Sequence, residues 1–328
     1  MGISLKTQKM LWGRAAGRCS EPACRKYLFE DETETDDATL VGENCHIVAE
    51  EDGGPRGDPK MPAEQRSKYA NLILLCRNHH KIIDAQPGKY TVESLHDMKA
   101  VHEEWVRTQL GFNIKKQWDD EHYANIIDTW EKLAHLNEWK AWSSSMLCYG
   151  QPRMRSEVDE DLMELREWLL SRIWPHRYKL IENAFQNFRC VLQDLQELFR
   201  SRAERAGEDR LLLTQKFYQS REWDEERYHR LGREYDYHVD LVEDLMLELS
   251  RAANLLCDRV REELSPSYRL KEGRLTVQSG PTGTLAFTDM VVEYSDQERA
   301  ENLPYPGLDK FRLAREDRDM HFGKGNAP

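Results

Sequence analysis

The side chains of this chain that carry chemistry are concentrated in its first quarter. Cys19 and Cys24 make one close pair and Cys76 and His79 a second; Cys45 and His46 lie between them, and His80 and Asp84 follow. Zinc takes four soft or borderline donors in a tetrahedron, and two close pairs deliver two donors from each of two loops. Cys19, Cys24, Cys76 and His79 fit that plan as a structural zinc site. Cys45 is a rival for the place of His79, although a strand carrying Cys45 and His46 in succession sends their side chains to opposite faces. Asp84 stands four residues after His80, so both share one face of a helix, and Asp84 is a candidate second metal ligand or an orienting carboxylate. With no uninterrupted apolar stretch in residues 1–12 to serve as an export signal, a cysteine cluster of this kind reads as metal binding before disulfides. Cys148, Cys190 and Cys257, scattered through helix-patterned sequence, read as small buried apolar side chains.

Taken in order, the cysteine pair, Cys45-His46-Ile47, Asn71-Leu72 and Cys76-Arg77-Asn78-His79-His80 resemble the zinc-containing form of the HNH endonuclease superfamily, over residues 5–110. The segment from Cys45 to Ala49, the Gly-Pro-Arg-Gly loop around Arg56 and the Leu-Leu-Cys-Arg-Asn-His-His run ending at His80 particularly resemble HNH modules fused to other domains in bacterial anti-phage defence proteins. The resemblance implies a ββα-metal fold that hydrolyses DNA phosphodiesters. His46 would be the general base, taking a proton from the attacking water because imidazole titrates near neutral pH. His80 would ligate a catalytic Mg²⁺ or Mn²⁺, which stabilises charge on the phosphorane and the leaving 3′ oxygen. Asn71 would tie the two strands together through hydrogen bonds. The chain departs from the family twice. Cys45 stands where an acidic metal ligand is usual and is a poor partner for a hard metal, and His79 replaces the usual fourth cysteine.

These residues need elements to hold them. Apolar positions between residues 5 and 17 predict a short helix that Gly17 closes. The acidic stretch 30–37 reads as a solvated loop, and 39–49 has the β-branched and apolar content of a strand. Residues 50–62, rich in Gly, Pro and charge, form an irregular loop. Asn71 to Leu75 is a second strand, 79–85 opens a helix, and Thr91 caps an amphipathic helix over 92–110. Arg56, Arg77 and Lys81 are either phosphate contacts or solvated charges. His96 and His102 read as packing or surface residues.

Beyond residue 117 apolar residues recur at three and four spacing through Ile126, Trp130 and Trp139, then from Leu162 to Leu198 with a kink or restart at Pro175, then from Leu213 to Val260. Three long helices predict a bundle, with the tryptophans at 118, 130, 139 and 142 in its core. After Pro266, 274–278 and 290–294 read as short strands flanking a turn, followed by a tail from Asn302. The fold class expected is α+β: an HNH nuclease module over 1–112, a mostly helical regulatory or oligomerisation domain over 113–265, and a small β-containing region over 266–328.

The chain has 328 residues, 39% hydrophobic and 32% charged, with a formal charge of −12, which excludes a protein that coats nucleic acid by bulk electrostatics. Residues 1–112 hold 15 basic against 18 acidic side chains, so the acid excess lies mainly beyond the candidate nuclease. No apolar run approaches the ~20 residues of a membrane span, and a cytoplasmic protein is expected. The expected partners are DNA as substrate and, through the helical domain, a second copy of the chain or a sensor protein. Two alternatives stand beside the nuclease. One is a non-catalytic zinc-dependent module that binds nucleic acid or protein. The other is a ribonuclease site in the helical domain, where Arg233 and His238 are spaced like the Arg-x4-His motif of HEPN ribonucleases.

Overall fold

A computed structural model describes residues 3–30, 39–109, 113–207, 210–219, 224–281 and 285–314. The acidic stretch at 31–37, residues 282 and 283 of the expected turn and the end of the tail lie outside them. The fold is α+β with small sheets, in two compact units, Met1–Asp128 and Thr129–Pro328.

In the first unit, helix α1 (Leu5–Arg14) starts at Ser4, whose hydroxyl accepts the Thr7 N–H at 3.3 Å. It ends with Ala16 and Gly17 both left-handed, at φ 51° and 61°. At Gly17 a Cβ would come within 2.4 Å of the Phe29 ring, so only glycine fits there. Strands β1 (Phe29–Glu30) and β2 (Thr39–Leu40) form a minimal ladder, and β3 (Gly42–His46) follows. After a loop come α2 (Ala63–Arg66), a 3-10 turn over Tyr69–Asn71, β4 (Leu72–Cys76) and α3 (Arg77–Ala85). β3 and β4 are antiparallel, with Gly42 opposite Cys76 and His46 opposite Leu72. Both α1 and α3 pack on β4, which is why Leu72 to Leu75 are all buried rather than alternating. Together with Leu11, Leu28, Cys45, Ile47 and Ile83 they form the core of this unit.

Helix α4 (Val92–Gln109) begins where Thr91 Oγ1 accepts the Ser94 N–H at 3.2 Å, and its buried His102 places Nε2 3.1 Å from the Ala15 carbonyl. The greater part of α5 (Ile114–Leu133), up to Asp128, belongs to the first unit, and it caps α1: Asp128 accepts the N–H groups of Leu5 and Lys6, each at 2.9 Å. Glu121 also pairs with Arg14 at 3.1 Å. Trp118, expected in a core, is 59% exposed.

The second unit contains α6 (Trp139–Leu147), β5 (Arg153–Arg155), α7 (Ser156–Leu170), α8 (Lys179–Ser201), β6 (Ala203–Ala206), β7 (Leu211–Thr214), α9 (Glu225–Glu263), β8 (Thr276–Ser279), β9 (Thr288–Val291), α10 (Asp296–Arg299) and α11 (Leu308–Ala314). Trp130, Trp139 and Trp142 are buried, Trp130 edge-on to Phe185 and Phe188. The expected restart at Pro175 is a full break between α7 and α8. Residues 153–155, 203–206 and 211–214, expected to be helix or connecting loop, instead form a sheet of order β5-β7-β6. Leu211, Leu212 and Leu213 are a short apolar run, too brief for its period to distinguish strand from helix. The C-terminal hairpin of β8 and β9 falls in the expected β region, its ends offset from 274–278 and 290–294 by one to three residues. No helix among the described residues is long and apolar enough to cross a membrane.

Candidate functional site

The zinc-type cluster is built from two turns. After Gly17 the chain turns back on itself: Cys19 N–H reaches the Lys26 carbonyl at 2.9 Å, and the N–H groups of Cys24 and Arg25 return to the Glu21 carbonyl at 2.9 and 3.1 Å. The Ser20 N–H bonds the Leu74 carbonyl at 2.8 Å, docking this knuckle on β4. Cys76 ends β4, and His79 stands on the first turn of α3. The Nδ1 atom of His79 lies 3.1 Å from Cys76 Sγ and 3.7 Å from Cys19 Sγ, and the donor atoms of Cys19, Cys24, Cys76 and His79 all fall within 4.8 Å of one another. Around a tetrahedral zinc, sulfur and nitrogen donors stand about 3.5 Å apart. The donor set and spacing therefore fit, and the cluster can hold a zinc ion. Burial pushes the Cys19 thiol up to about 12, so taking up zinc displaces a proton there. Cys45 lies outside this set; its thiol is buried in the core, donates toward the Glu43 carbonyl at 3.3 Å, and is pushed above the usual thiol range by that burial.

His80 follows His79, and successive residues on a helix point about 100° apart. The first imidazole serves the cysteines, while the second lies between two carboxylates. Its Nδ1 is 2.6 Å from Glu43 Oε2, across from β3, and its Nε2 is 3.0 Å from Asp84 Oδ2, one turn along α3. The bond to His80 is the main cause holding the Glu43 carboxyl below its ordinary value. The other oxygen of Asp84, Oδ1, accepts from Arg56 Nη2 at 2.6 Å.

His46 ends β3, half-buried, with its Nε2 enclosed and without a hydrogen-bond partner among the described residues. Burial lowers its pKa, the charge of His80 lowers it further, and Glu50 and Asp84 oppose. The His46 carbonyl and Asp84 Oδ1 both face Arg56 Nη2, at 3.5 and 2.6 Å. The chain beyond His46 is held by Asn71, which is 3% exposed. The Asn71 carbonyl accepts the Ile47 N–H at 2.8 Å. Its side-chain Oδ1 accepts the Val48 N–H at 2.9 Å, and its Nδ2 donates to the Val48 and Arg66 carbonyls at 2.8 and 2.9 Å. The carboxamide thus continues the β3–β4 pairing where backbone pairing stops.

The structure pairs His80 with Asp84, sets Asp84 and the His46 carbonyl on one guanidinium, and ties Asn71 to the chain just after His46. It does not bring Arg233 and His238 together: Arg233 is exposed, whereas His238 is buried, with its pKa lowered to about 4 by burial and the charge of Arg202. Arg77 is exposed and pairs loosely with Glu43 at 3.4 Å, Lys81 is exposed, and Arg56 is buried rather than solvated. Glu43 is the participant that sequence reasoning missed. Its position opposite Leu75, just before α3 begins, is a matter of strand register that no spacing in the chain displays.

No protein-family model matches the chain, and no curated protein matches it in sequence.

Proposed function

We propose that the first unit is a metal-dependent HNH endonuclease that hydrolyses DNA, with His46 as general base, Asn71 as the tie that sets its position and His80 as ligand of the catalytic metal. The observation that carries this reading is the strand pair β3–β4 leading into α3, with His46 ending β3, His80 on α3 bonded to Glu43 and Asp84, and the Cys19, Cys24, Cys76 and His79 donor set beside it. His80 Nε2 and Asp84 Oδ2, 3.0 Å apart, stand at the separation of two neighbouring ligands about 2.1 Å from an octahedral divalent ion, roughly 3.0 Å. Oxygen and imidazole donors suit Mg²⁺ or Mn²⁺, with water and phosphate oxygens completing the shell. Bound there, the metal would supply charge stabilisation for the phosphorane and the leaving 3′ oxygen.

The remaining steps belong to the chain's own groups. Burial keeps His46 neutral at neutral pH, ready to take the proton of a water attacking phosphorus. With Glu43 accepting from His80 Nδ1–H, the Nε2 atom would be left to ligate the metal together with Asp84, the carboxylate–histidine–metal arrangement. An anti-phage setting, and control through a second copy or a sensor bound to the helical unit, follow from the sequence resemblance and complete the proposal.

Plasmid DNA incubated with the protein and Mg²⁺ or Mn²⁺, against EDTA and His46→Ala controls, tests the reading. Nicking or linearisation that needs both the metal and His46 is expected; binding without cutting at any metal concentration would leave a zinc-dependent binding module. Cutting of RNA that survives His46→Ala and is lost in Arg233→Ala would move the activity to the helical unit.

A further inference from the structure

The loop from Ile47 to Pro62 is irregular, yet arginine side chains fix it from within. Arg66 bonds the Glu50 carbonyl at 2.7 Å and the Asp58 carbonyl at 3.0 Å, and so folds the loop onto itself. Arg56 acts differently. Its side chain is 4% exposed, and its guanidinium reaches four acceptors on two separate elements. These are the Ile47 and His46 carbonyls at 2.8 and 3.5 Å, where β3 ends, and the Ile83 carbonyl and Asp84 Oδ1 at 3.0 and 2.6 Å, on α3. Arg56 adopts a left-handed backbone, φ 56°, which a residue with a Cβ resists. A guanidinium so enclosed has no face left for a phosphate.

We infer that Arg56 is a positioning residue that joins the two halves of the proposed active site. It holds the carbonyl end of the strand carrying His46 against the helix carrying Asp84. By fixing Oδ1 of Asp84, it turns Oδ2 toward His80 Nε2. The Asp84 side chain is 34% exposed, so without that anchor it is free to rotate toward water. Lysine cannot replace the arginine, because a single ammonium does not span acceptors on two elements as a planar fork does. The inference rests on the nuclease reading for the meaning of the site, but its test does not depend on cleavage.

The test uses the full zinc-loaded chain and five proteins: wild type, Arg56→Lys, Arg56→Gln, Asp84→Asn and the Arg56→Lys/Asp84→Asn double variant. Mn²⁺ affinity is measured by titration calorimetry without DNA, zinc content and thermal melting report the fold, and kcat and KM are measured on plasmid. Arg56→Lys is expected to keep its zinc, to lose about tenfold to hundredfold in Mn²⁺ affinity, and to lower kcat while leaving KM for DNA unchanged. In the Asp84→Asn background the same change should cost nothing further, because the guanidinium acts through that carboxylate. Unchanged Mn²⁺ affinity, a rise in KM alone, or a loss that adds in full to that of Asp84→Asn overturns the inference. Loss of zinc and of the melting transition in both Arg56→Lys and Arg56→Gln overturns it as well, since Arg56 is then a general staple of the fold. A wild-type protein that takes up Mn²⁺ without cutting DNA sinks the nuclease reading and leaves Arg56 to be judged on affinity; one that takes up no Mn²⁺ sinks both.

Discussion

Replacing Asn71 by alanine tests the tie between β3 and β4 most directly. The substitution removes three side-chain hydrogen bonds, from the Val48 N–H and to the Val48 and Arg66 carbonyls, at 2.8 to 2.9 Å in a position 3% exposed. Each backbone group left buried without a partner costs about 1–3 kcal/mol. Water entering the small space left by the carboxamide recovers part of this, so the expected loss is roughly 3–5 kcal/mol. Against a total stability of about 5–15 kcal/mol, that leaves the first unit marginal, with a melting temperature lower by roughly 10 °C or more. Aspartate serves as the control. It keeps the acceptor for the Val48 N–H but sets an oxygen against both carbonyls, so it should be at least as damaging at neutral pH and recover partly on acidification, when a protonated carboxyl can donate once. Urea unfolding followed by circular dichroism, with zinc release read by a chelating dye, measures the effect. An Asn71→Ala protein less than about 1 kcal/mol weaker than wild type would refute the reasoning, because it would mean that solvent already satisfies those groups.

Four further outcomes follow from the same geometry. Cys24→Ser removes one of the four soft donors and should abolish stoichiometric zinc in elemental analysis and lower the melting temperature of the first unit; retention of full zinc would place the ion elsewhere. Because burial lowers the His46 pKa, the proton-accepting form persists into mild acid. The cleavage rate should therefore rise with pH to a plateau whose acid limb has its midpoint below the ordinary imidazole value of about 6.5, and a midpoint above it would contradict the assignment. Glu43→Gln, nearly the same size without the charge, should weaken Mn²⁺ binding about tenfold to hundredfold, and calorimetry showing no change would remove Glu43 from the site. In the second unit, burial raises the Glu243 carboxyl from 4.5 to about 8. Since the folded form holds its proton more tightly than the unfolded one, the stability this contributes is complete below pH 4.5 and is lost as pH rises to 8. Glu243→Gln should remove that slope, worth roughly 3 kcal/mol between pH 4.5 and 7; denaturation curves with unchanged pH dependence would contradict it.

The zinc donors were legible because close pairs of soft ligands are rare by chance and need no tertiary knowledge to interpret. His80 and Asp84 were legible for a similar reason: four residues along one helix fixes a shared face. Glu43 and Arg56 were not, because each becomes a neighbour of the site only through a fold-back. For Glu43 this is the antiparallel register of β3 on β4; for Arg56 it is a loop whose course is set by its own buried hydrogen bonds. In the second unit the long helical periods of α8 and α9 were readable in outline. Two features hid the small sheet: its strands are three or four residues each, and its central strand reads as a leucine run that any element could bury.

His79 and His80 are consecutive on a helix nine residues long. That helix consequently has no rotational slack: a turn about its own axis that improved one imidazole's fit would spoil the other's. Metal starvation would therefore reach beyond the loosening of a staple, because the helix left free to roll is the one that aims His80 at Glu43 on β3. An ion held by that cluster would act as an index pin for the face beside it.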